Sequence, residues 1–190
     1  MLYQFLNQII KKDVDLFVFL NQFHNHFFDV FMTFVSGKYS WVPLYLFILF
    51  LILKKFNIKK GLIVFLTAVL LIALSDQTSV FLFKFTFLRL RPCFNPEISG
   101  IIHVVDMPGG KYGFISSHAS NVFALAFFTL SLFKNKIYTI LILFWAAFVA
   151  YSRIYLGVHY PADVLTGALW GIFLACLFLL VLKNLIYKNL

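Results

Sequence analysis

The residue types and spacing best suited to chemistry occur near the C-terminal end of the chain, in residues 152–163. This stretch carries Arg153, His159 and Asp163 between two very apolar segments. A guanidinium can hold two phosphate oxygens at once. A carboxylate four residues after a histidine at a helix start can accept the imidazole N–H and free the other nitrogen for attack. We interpret the stretch as an anion site with a nucleophilic or proton-shuttling histidine; a polar turn with an incidental ion pair is the alternative.

Two cations at the end of an earlier apolar run suit the same anion. Lys84 and Arg91 are seven residues apart. This is two helical turns, so we expect both on one helical face, about 10 Å apart along the axis. We expect Pro92 to end that helix, because proline removes a helical hydrogen bond. Snorkelling of both side chains at a helix end is the alternative.

A third polar group, Ser116-Ser117-His118, directly precedes another apolar run. Ser116 is a candidate N-cap, and the free N–H groups and dipole of a helix start attract anions. A protonated imidazole can neutralise a leaving oxyanion, so His118 is a candidate proton donor. A plain capping role is the alternative for this histidine.

The composition indicates that most of the chain is surrounded by lipid. Of its residues, 62% are hydrophobic and 12% are charged, whereas a soluble domain carries about 25% charged residues. The net charge is +9, and the lysines stand in short clusters between apolar runs, as in the inner loops of membrane proteins. We therefore expect no nucleic acid partner. Cys93 and Cys176 are the only cysteines, so no disulfide framework or zinc site is expected.

We predict an all-α, polytopic membrane helix bundle that forms one domain over residues 1–190, with residues 38–190 as the main bundle. Residues 1–37 are predicted to form two short amphipathic interfacial helices joined by a polar hinge; a single imperfect span through residues 14–37 is the alternative. About five transmembrane spans are expected, at residues 41–53 with their flanks, 61–87, 116–133, 137–154 and 161–182.

The charges orient these spans. The loop at residues 92–115 and the turn at 155–160 fall on the side opposite to the lysine clusters, which are Lys54, Lys55, Lys59, Lys60, Lys134, Lys136, Lys183 and Lys188. Cations that cluster on the outer side break the positive-inside rule, which suggests a chemical role. These outer cations are Lys84, Arg89, Arg91, Lys111 and Arg153.

The three polar groups resemble the three signature motifs of the type-2 phosphatidic acid phosphatase family, which shares its site with the vanadium haloperoxidases. Lys84 to Arg91-Pro92 matches the first motif in full, and Ser152-Arg153 through His159 to Asp163 matches the third in full. The second motif, P-S-G-H, is matched at Ser116 and His118, but Ile115 replaces the proline and Ser117 the glycine.

The resemblance implies hydrolysis of a phosphate monoester or diphosphate through a phosphohistidine. His159 would attack phosphorus, Asp163 would orient it, and His118 would protonate the leaving group and then activate water. The groups implied to bind the phosphoryl oxygens are Lys84, Arg91, Ser116, Arg153 and the backbone N–H of Ser117. This agrees with the residues themselves, because phosphoryl transfer depends mostly on positioning and charge neutralisation.

No cofactor or metal is expected. The seven acidic residues are too dispersed to hold Mg²⁺ in the usual carboxylate manner, so the hydrolase is predicted to be metal-independent. The expected partners are a membrane lipid substrate and the bilayer. Further candidate contacts with the lipid headgroup are Arg89, His103 and Lys111. Asp76, an ionisable residue within a span, is interpreted as polar glue between helices rather than as a functional group.

The small size and short loops resemble bacterial members of the family, so we expect an inner-membrane protein with its active site on the periplasmic side. Undecaprenyl diphosphate is the first expected substrate and lipid A the second, followed by phosphatidic acid or phosphatidylglycerol phosphate. The alternative from another class is an inactive lipid-binding or transport protein on the same scaffold.

Overall fold

The computed structural model describes residues 2–187, with side chains described for residues 4–183. This part of the chain is helical and contains no β-strand, which confirms the all-α class. The helices are α1 (Leu2–Asn21), α2 (His26–Ser36), α3 (Val42–Lys55), α4 (Ile58–Thr78), α5 (Phe85–Phe87), α6 (Ser117–Phe133), α7 (Lys136–Tyr155) and α8 (Pro161–Tyr187). A π-helical segment, Ser79–Lys84, joins α4 and α5 into one rod, and Pro92–Phe94 forms a 3-10 turn.

Asparagine caps begin α4 and α7 close to the predicted boundaries. Asn57 accepts the N–H of Lys60 at 2.9 Å before α4, and Asn135 accepts the N–H of Tyr138 at 2.9 Å before α7. Both caps lie in short loops beside lysine clusters. These caps satisfy N–H groups that would otherwise lack partners at a helix start.

The core surrounds α6, which packs against α4, α7 and α8. The contact with α8 is closest at Gly167 and Gly171, which are one helical turn apart. A Cβ atom at Gly167 would lie 2.5 Å from the carbonyl oxygen of Ser116, and one at Gly171 would lie 2.1 Å from that of Ser120. Small residues four apart allow helices to approach backbone to backbone, an arrangement common in membranes. This contact fixes the start of α8 beside the start of α6.

Three helical segments are long and apolar enough to cross a membrane within the described residues: Ile58–Phe87, Lys136–Tyr155 and Pro161–Lys183. The helices α3 and α6 are shorter, with 14 and 17 residues. The polytopic bundle is therefore confirmed, whereas the count of five spans stays a prediction.

The end of the rod corrects one prediction. The helix ends at Phe87, because Leu88 adopts a left-handed conformation with φ of 49°. Arg91 is extended, and its N–H donates to the carbonyl of Lys111 at 2.9 Å. Lys84 and Arg91 therefore do not share a helical face, and Pro92 is not the residue that stops the helix.

The N-terminal segment forms two separate helices, with Asn25 capping α2; α1 has 20 residues and is longer than the short helix predicted there. Both helices contact α7, and α1 also contacts α8. Their placement relative to the bilayer stays a prediction.

Candidate active site

The predicted polar groups converge at the end of the bundle opposite to the predicted inner lysine clusters, around His159 in the loop between α7 and α8. His159 is 2% exposed. Burial lowers the pKa of this imidazole well below its usual value, and the nearby charges of Arg91, Arg153 and Lys84 lower it further. The imidazole is therefore neutral at physiological pH, which is the form a nucleophile requires. We call Lys84, Arg91 and Arg153 the cation cluster.

The two nitrogens of His159 have different surroundings. Nη1 of Arg91 lies 2.7 Å from Nε2. Because a guanidinium only donates, Nε2 accepts and the ring proton belongs on Nδ1. The geometry therefore presents the lone pair of Nε2 to the cation cluster.

Asp163 is close to His159 but bonded elsewhere. Its Oδ2 atom lies 3.5 Å from Nδ1 of His159, longer than an ordinary hydrogen bond, and Nδ1 makes no bond of normal geometry. The buried carboxylate instead accepts the N–H of Tyr160 at 3.0 Å on Oδ2 and Nη1 of Arg89 at 2.7 Å on Oδ1. The two side chains are thus adjacent, as expected, but they do not form the expected direct hydrogen bond.

Backbone carbonyls fix the direction of Arg91. Its Nε atom donates to the carbonyl of Gly110 at 2.8 Å, and Nη1 donates to that of Val158 at 3.1 Å. Gly113 lies directly beneath this side chain, since a Cβ atom there would approach Cγ of Arg91 to 2.9 Å and Oδ2 of Asp163 to 3.3 Å. The loop at residues 92–115 therefore supplies both a carbonyl partner and a glycine that permits the close packing.

The other two cations are held from different helices. Nζ of Lys84 donates to Oγ of Ser117 at 2.8 Å, at the first residue of α6. Arg153, in the last turn of α7, donates from Nη1 to Oγ of Ser36 at the end of α2. Its Nε atom is buried without a hydrogen-bond partner. A buried donor of this kind suits an anionic ligand, and Ser36 is a partner that the sequence pattern missed.

The start of α6 confirms that Ser116 is an N-cap. Ser116 is the N-cap, and its hydroxyl accepts the N–H of Ala119 at 3.4 Å. Its own N–H donates to the carbonyl of Asp163 at 2.9 Å. Ser116 is fully buried, as His159 and Asp163 are, and it holds the start of α6 against α8; its contact with a phosphate stays a prediction. His118 lies in the first turn of α6.

The three candidate headgroup contacts have different environments. Lys111 is exposed, with Nζ 5.4 Å from the centre of the Tyr112 ring, and stays a candidate. His103 is bonded to Asp29 at 2.8 Å and stacked on His24 at 3.8 Å, so it is tied to the N-terminal hairpin.

Arg89 is engaged within the protein. Its guanidinium binds Asp163 at 2.7 Å and Asp13 of α1 at 2.6 Å. Its predicted contact with a lipid headgroup stays a prediction.

Asp76 joins α4 to α6, as the interpretation of polar glue requires. Its Oδ1 atom accepts Nδ2 of Asn121 at 3.2 Å. Its predicted neighbour Gln77 is exposed. Among residues 4–183, no group of three or more His, Cys, Asp or Glu side chains is placed to hold a metal ion.

The fold and site define an integral-membrane phosphatase. The sequence matches the PAP2 superfamily model over residues 61–187, and the chain belongs to that superfamily. It is thus a membrane lipid phosphatase that hydrolyses phosphate esters.

Two curated relatives are similar over almost the whole chain. The lipid A 4'-phosphatase of Bacteroides thetaiotaomicron is 39% identical over 96% of this chain and 80% of its own length. The lipid A 4'-phosphatase of Porphyromonas gingivalis is 36% identical over 96% of this chain and 75% of its own length. An undecaprenyl-diphosphatase of Sulfolobus acidocaldarius is 32% identical over 86% of this chain and 75% of its own length.

Two solved structures share the fold. LpxE of Aquifex aeolicus superimposes with a TM-score of 0.63 and 26% identity, covering 87% of this chain and 93% of its own. A phosphatidylglycerolphosphate phosphatase of Bacillus subtilis superimposes with a TM-score of 0.71 and 22% identity, covering 95% of this chain and 89% of its own.

Proposed function

We propose that this protein removes a phosphate group, the 4'-phosphate, from lipid A. The observation that carries the chemistry is the convergence of the cation cluster on a buried, neutral His159. The substrate follows from the two lipid A 4'-phosphatases, which are more similar to this chain than the undecaprenyl-diphosphatase is. Lipid A therefore replaces undecaprenyl diphosphate, the first expectation from the sequence, which becomes the second candidate.

The reaction has two steps in this proposal. Nε2 of His159 attacks phosphorus, forming a P–N bond as the P–O bond to the sugar breaks, and His118 gives a proton to the leaving oxygen. Water then attacks the phosphohistidine while His118 takes a proton from it. The products are the dephosphorylated lipid, inorganic phosphate and free His159. Both histidines return to their starting protonation states.

The cation cluster neutralises the phosphoryl oxygens during both steps, together with the N–H of Ser117. Arg91 has a particular part, because its Nη1 atom lies 2.7 Å from the attacking nitrogen. We infer that its N–H moves from Nε2 to a phosphoryl oxygen when the substrate enters. Before the substrate enters, the same N–H occupies the lone pair of Nε2 and keeps it from reacting.

An apolar groove next to the site suits the lipid chains. Its volume is about 440 Å³, and it lies between α3, α4, α6 and α7. Asn121 lines its wall one turn below His118 on α6. A lipid in the bilayer can thus place a chain between the helices while its phosphate enters among the cations. We place this site on the periplasmic side of the inner membrane, opposite to the lysine clusters.

The experiment is phosphate release from the detergent-solubilised protein, with lipid A, undecaprenyl diphosphate, phosphatidic acid and phosphatidylglycerol phosphate as parallel substrates. We expect lipid A to give the highest kcat/KM. His159→Ala should abolish release, whereas His26→Ala, at an exposed histidine of α2, should not change it.

Three other outcomes reject parts of the proposal. Preference for undecaprenyl diphosphate would overturn the substrate. Equal release by the wild type and His159→Ala would overturn the histidine mechanism. Absence of release from all four lipids would favour an inactive lipid-binding protein.

A further inference from the structure

Helix α1 contacts the rest of the molecule through side chains spaced four residues apart. Asp13, Phe17 and Asn21 are 8%, 0% and 1% exposed, and they are the buried side chains in the described part of α1. We call them the docking stripe. Residues four apart lie above one another on a helix, so the docking stripe is one continuous face.

Each member of the docking stripe contacts a segment that carries the active site. Phe17 packs edge-on against Tyr160, the residue after His159, with ring centres 5.4 Å apart. Asn21 donates to the carbonyl of Tyr155 at 2.9 Å. Asp13 accepts the N–H of Ala162 at 2.8 Å on Oδ1. The loop at 155–162 is therefore held by α1 at both ends and in the middle.

Asp13 is also linked through Arg89 to Asp163, the carboxylate beside His159. Its Oδ2 atom binds Nη2 of Arg89 at 2.6 Å, and Nη1 of the same guanidinium binds Oδ1 of Asp163 at 2.7 Å. Arg89 lies over the Tyr160 ring, with Cζ 4.1 Å from its centre. We call Asp13, Arg89 and Asp163 the charge-paired triad.

We propose that α1 is a positioning element of the active site: Asp13 holds Arg89 between two carboxylates, and Arg89 thereby orients Asp163 toward Nδ1 of His159. This rests on the proposed function, because it takes His159 as the nucleophile. When phosphorylation makes the imidazole ring cationic, the Nδ1–H group can donate a shorter hydrogen bond to Asp163.

The second carboxylate limits how Arg89 can bind Asp163. Without Asp13, both arms of Arg89 are free to bind Asp163 in a fork, which draws the carboxylate away from His159. With Asp13 present, only Nη1 binds Asp163, and the Oδ2 atom keeps its place beside the imidazole. Burial alone lowers the pKa of Arg89, but the charges of Asp163 and Asp13 raise it overall, so the guanidinium stays charged between them.

The test is Asp13→Asn, measured with a lipid phosphate that the wild type hydrolyses. Asparagine keeps an oxygen for the N–H of Ala162, and it replaces the charged acceptor that faces Arg89 with an amide NH2, which cannot accept. Small displacements in an active site cost up to about 100-fold in rate, so we expect kcat to fall between tenfold and 100-fold. Because the cation cluster is untouched, KM and inhibition by inorganic phosphate should stay within about twofold of the wild type. Asp13→Glu should restore part of kcat.

The chain supplies a matched control in Asp15, on the same helix and exposed. Asp15→Asn removes the same charge and should leave kcat unchanged. A second variant, Arg89→Lys, keeps the positive charge but cannot bridge both carboxylates in the same fork, and should lower kcat as Asp13→Asn does. Thermal unfolding of each variant measures the folded fraction.

Equal kcat for Asp13→Asn and Asp15→Asn overturns the proposal. A loss of activity that disappears when rates are expressed per folded molecule also overturns it, since α1 would then only stabilise the fold. These results leave the proposed function intact as long as His159→Ala is inactive. Activity of His159→Ala would instead overturn the proposed function itself.

Discussion

Opposite arrangements of charge flank His159. The cation cluster, on its Nε2 side, contains positive groups that form no ion pair with a carboxylate in the described part of the chain. The charge-paired triad, on its Nδ1 side, alternates negative, positive and negative groups at 2.6 and 2.7 Å. The Nε2 side thus has an excess of positive charge without paired carboxylates, whereas each charged group on the Nδ1 side is bonded to a group of opposite charge.

The difference separates binding from positioning. Burying unpaired cations is costly unless an anion joins them, so the cation cluster is suited to a phosphoryl group that arrives and leaves. The charge-paired triad already has partners for its charged groups, so it binds a further ion weakly; its ion pairs instead fix the positions of its three side chains. Changes on the Nε2 side should therefore alter affinity for phosphate, and changes on the Nδ1 side should alter turnover alone.

The largest effect in this comparison is expected for His118→Ala. Loss of a general acid typically costs a factor of about 10² to 10⁴ when the leaving group is a poor one. A sugar alkoxide is such a leaving group, so we expect a loss in this range with a lipid phosphate. With p-nitrophenyl phosphate, whose leaving group needs no proton, the loss in the rate of the first turnover, measured as the burst of p-nitrophenolate, should be far smaller. An equal loss of the first-turnover rate with both substrates would show that His118 is not the proton donor.

An intermediate effect is expected for Arg153→Lys. Lysine keeps the charge but loses the planar fork and the Nε donor, so we expect kcat/KM to fall by about 10-fold to 100-fold. Inhibition by inorganic phosphate should weaken in parallel. Asp13→Asn serves as the comparison from the opposite side, because it should leave phosphate inhibition unchanged. If both variants weakened phosphate inhibition equally, the two sides would not be functionally distinct.

The smallest effect is expected for chelation of metal ions. The cation cluster supplies the positive charge that Mg²⁺ provides in many other phosphoryl-transfer enzymes, so EDTA should leave kcat within about twofold of its value without chelator. Phosphate release with and without EDTA measures this. Loss of activity that Mg²⁺ restores would require a metal site beyond the cation cluster.

The sequence predicted the elements that depend on local pattern. Helix boundaries near Ser116, Asn135 and Pro161 follow from capping residues and apolar runs, and the structure agrees with them within a few residues. The grouping of Lys84, Arg91, Arg153, His118 and His159 also follows from the motifs together with the alternation of the spans.

Errors arose where a distant contact decided the outcome. Lys84 and Arg91 were expected on one helical face, but Leu88 turns the chain into a segment that pairs with Lys111 to Gly113. No partner was predicted for Arg153, yet it bonds to Ser36 at the end of α2. In both cases the partner lies on another segment, which periodicity along one segment does not reveal.

The sequence alone determined the membrane character, the three polar groups and the chemistry open to a histidine beside several cations, because composition and short spacing carry that information. Tertiary structure alone decided which polar groups are satisfied and which are left for a ligand. Asp13 and Ala162 are 149 positions apart, and Ser36 and Arg153 are 117 apart. Such pairs form because α1 packs against α7 and α8, and α2 packs against α7. Hydrogen bonds depend on those distances in space, and spacing along the chain does not encode them.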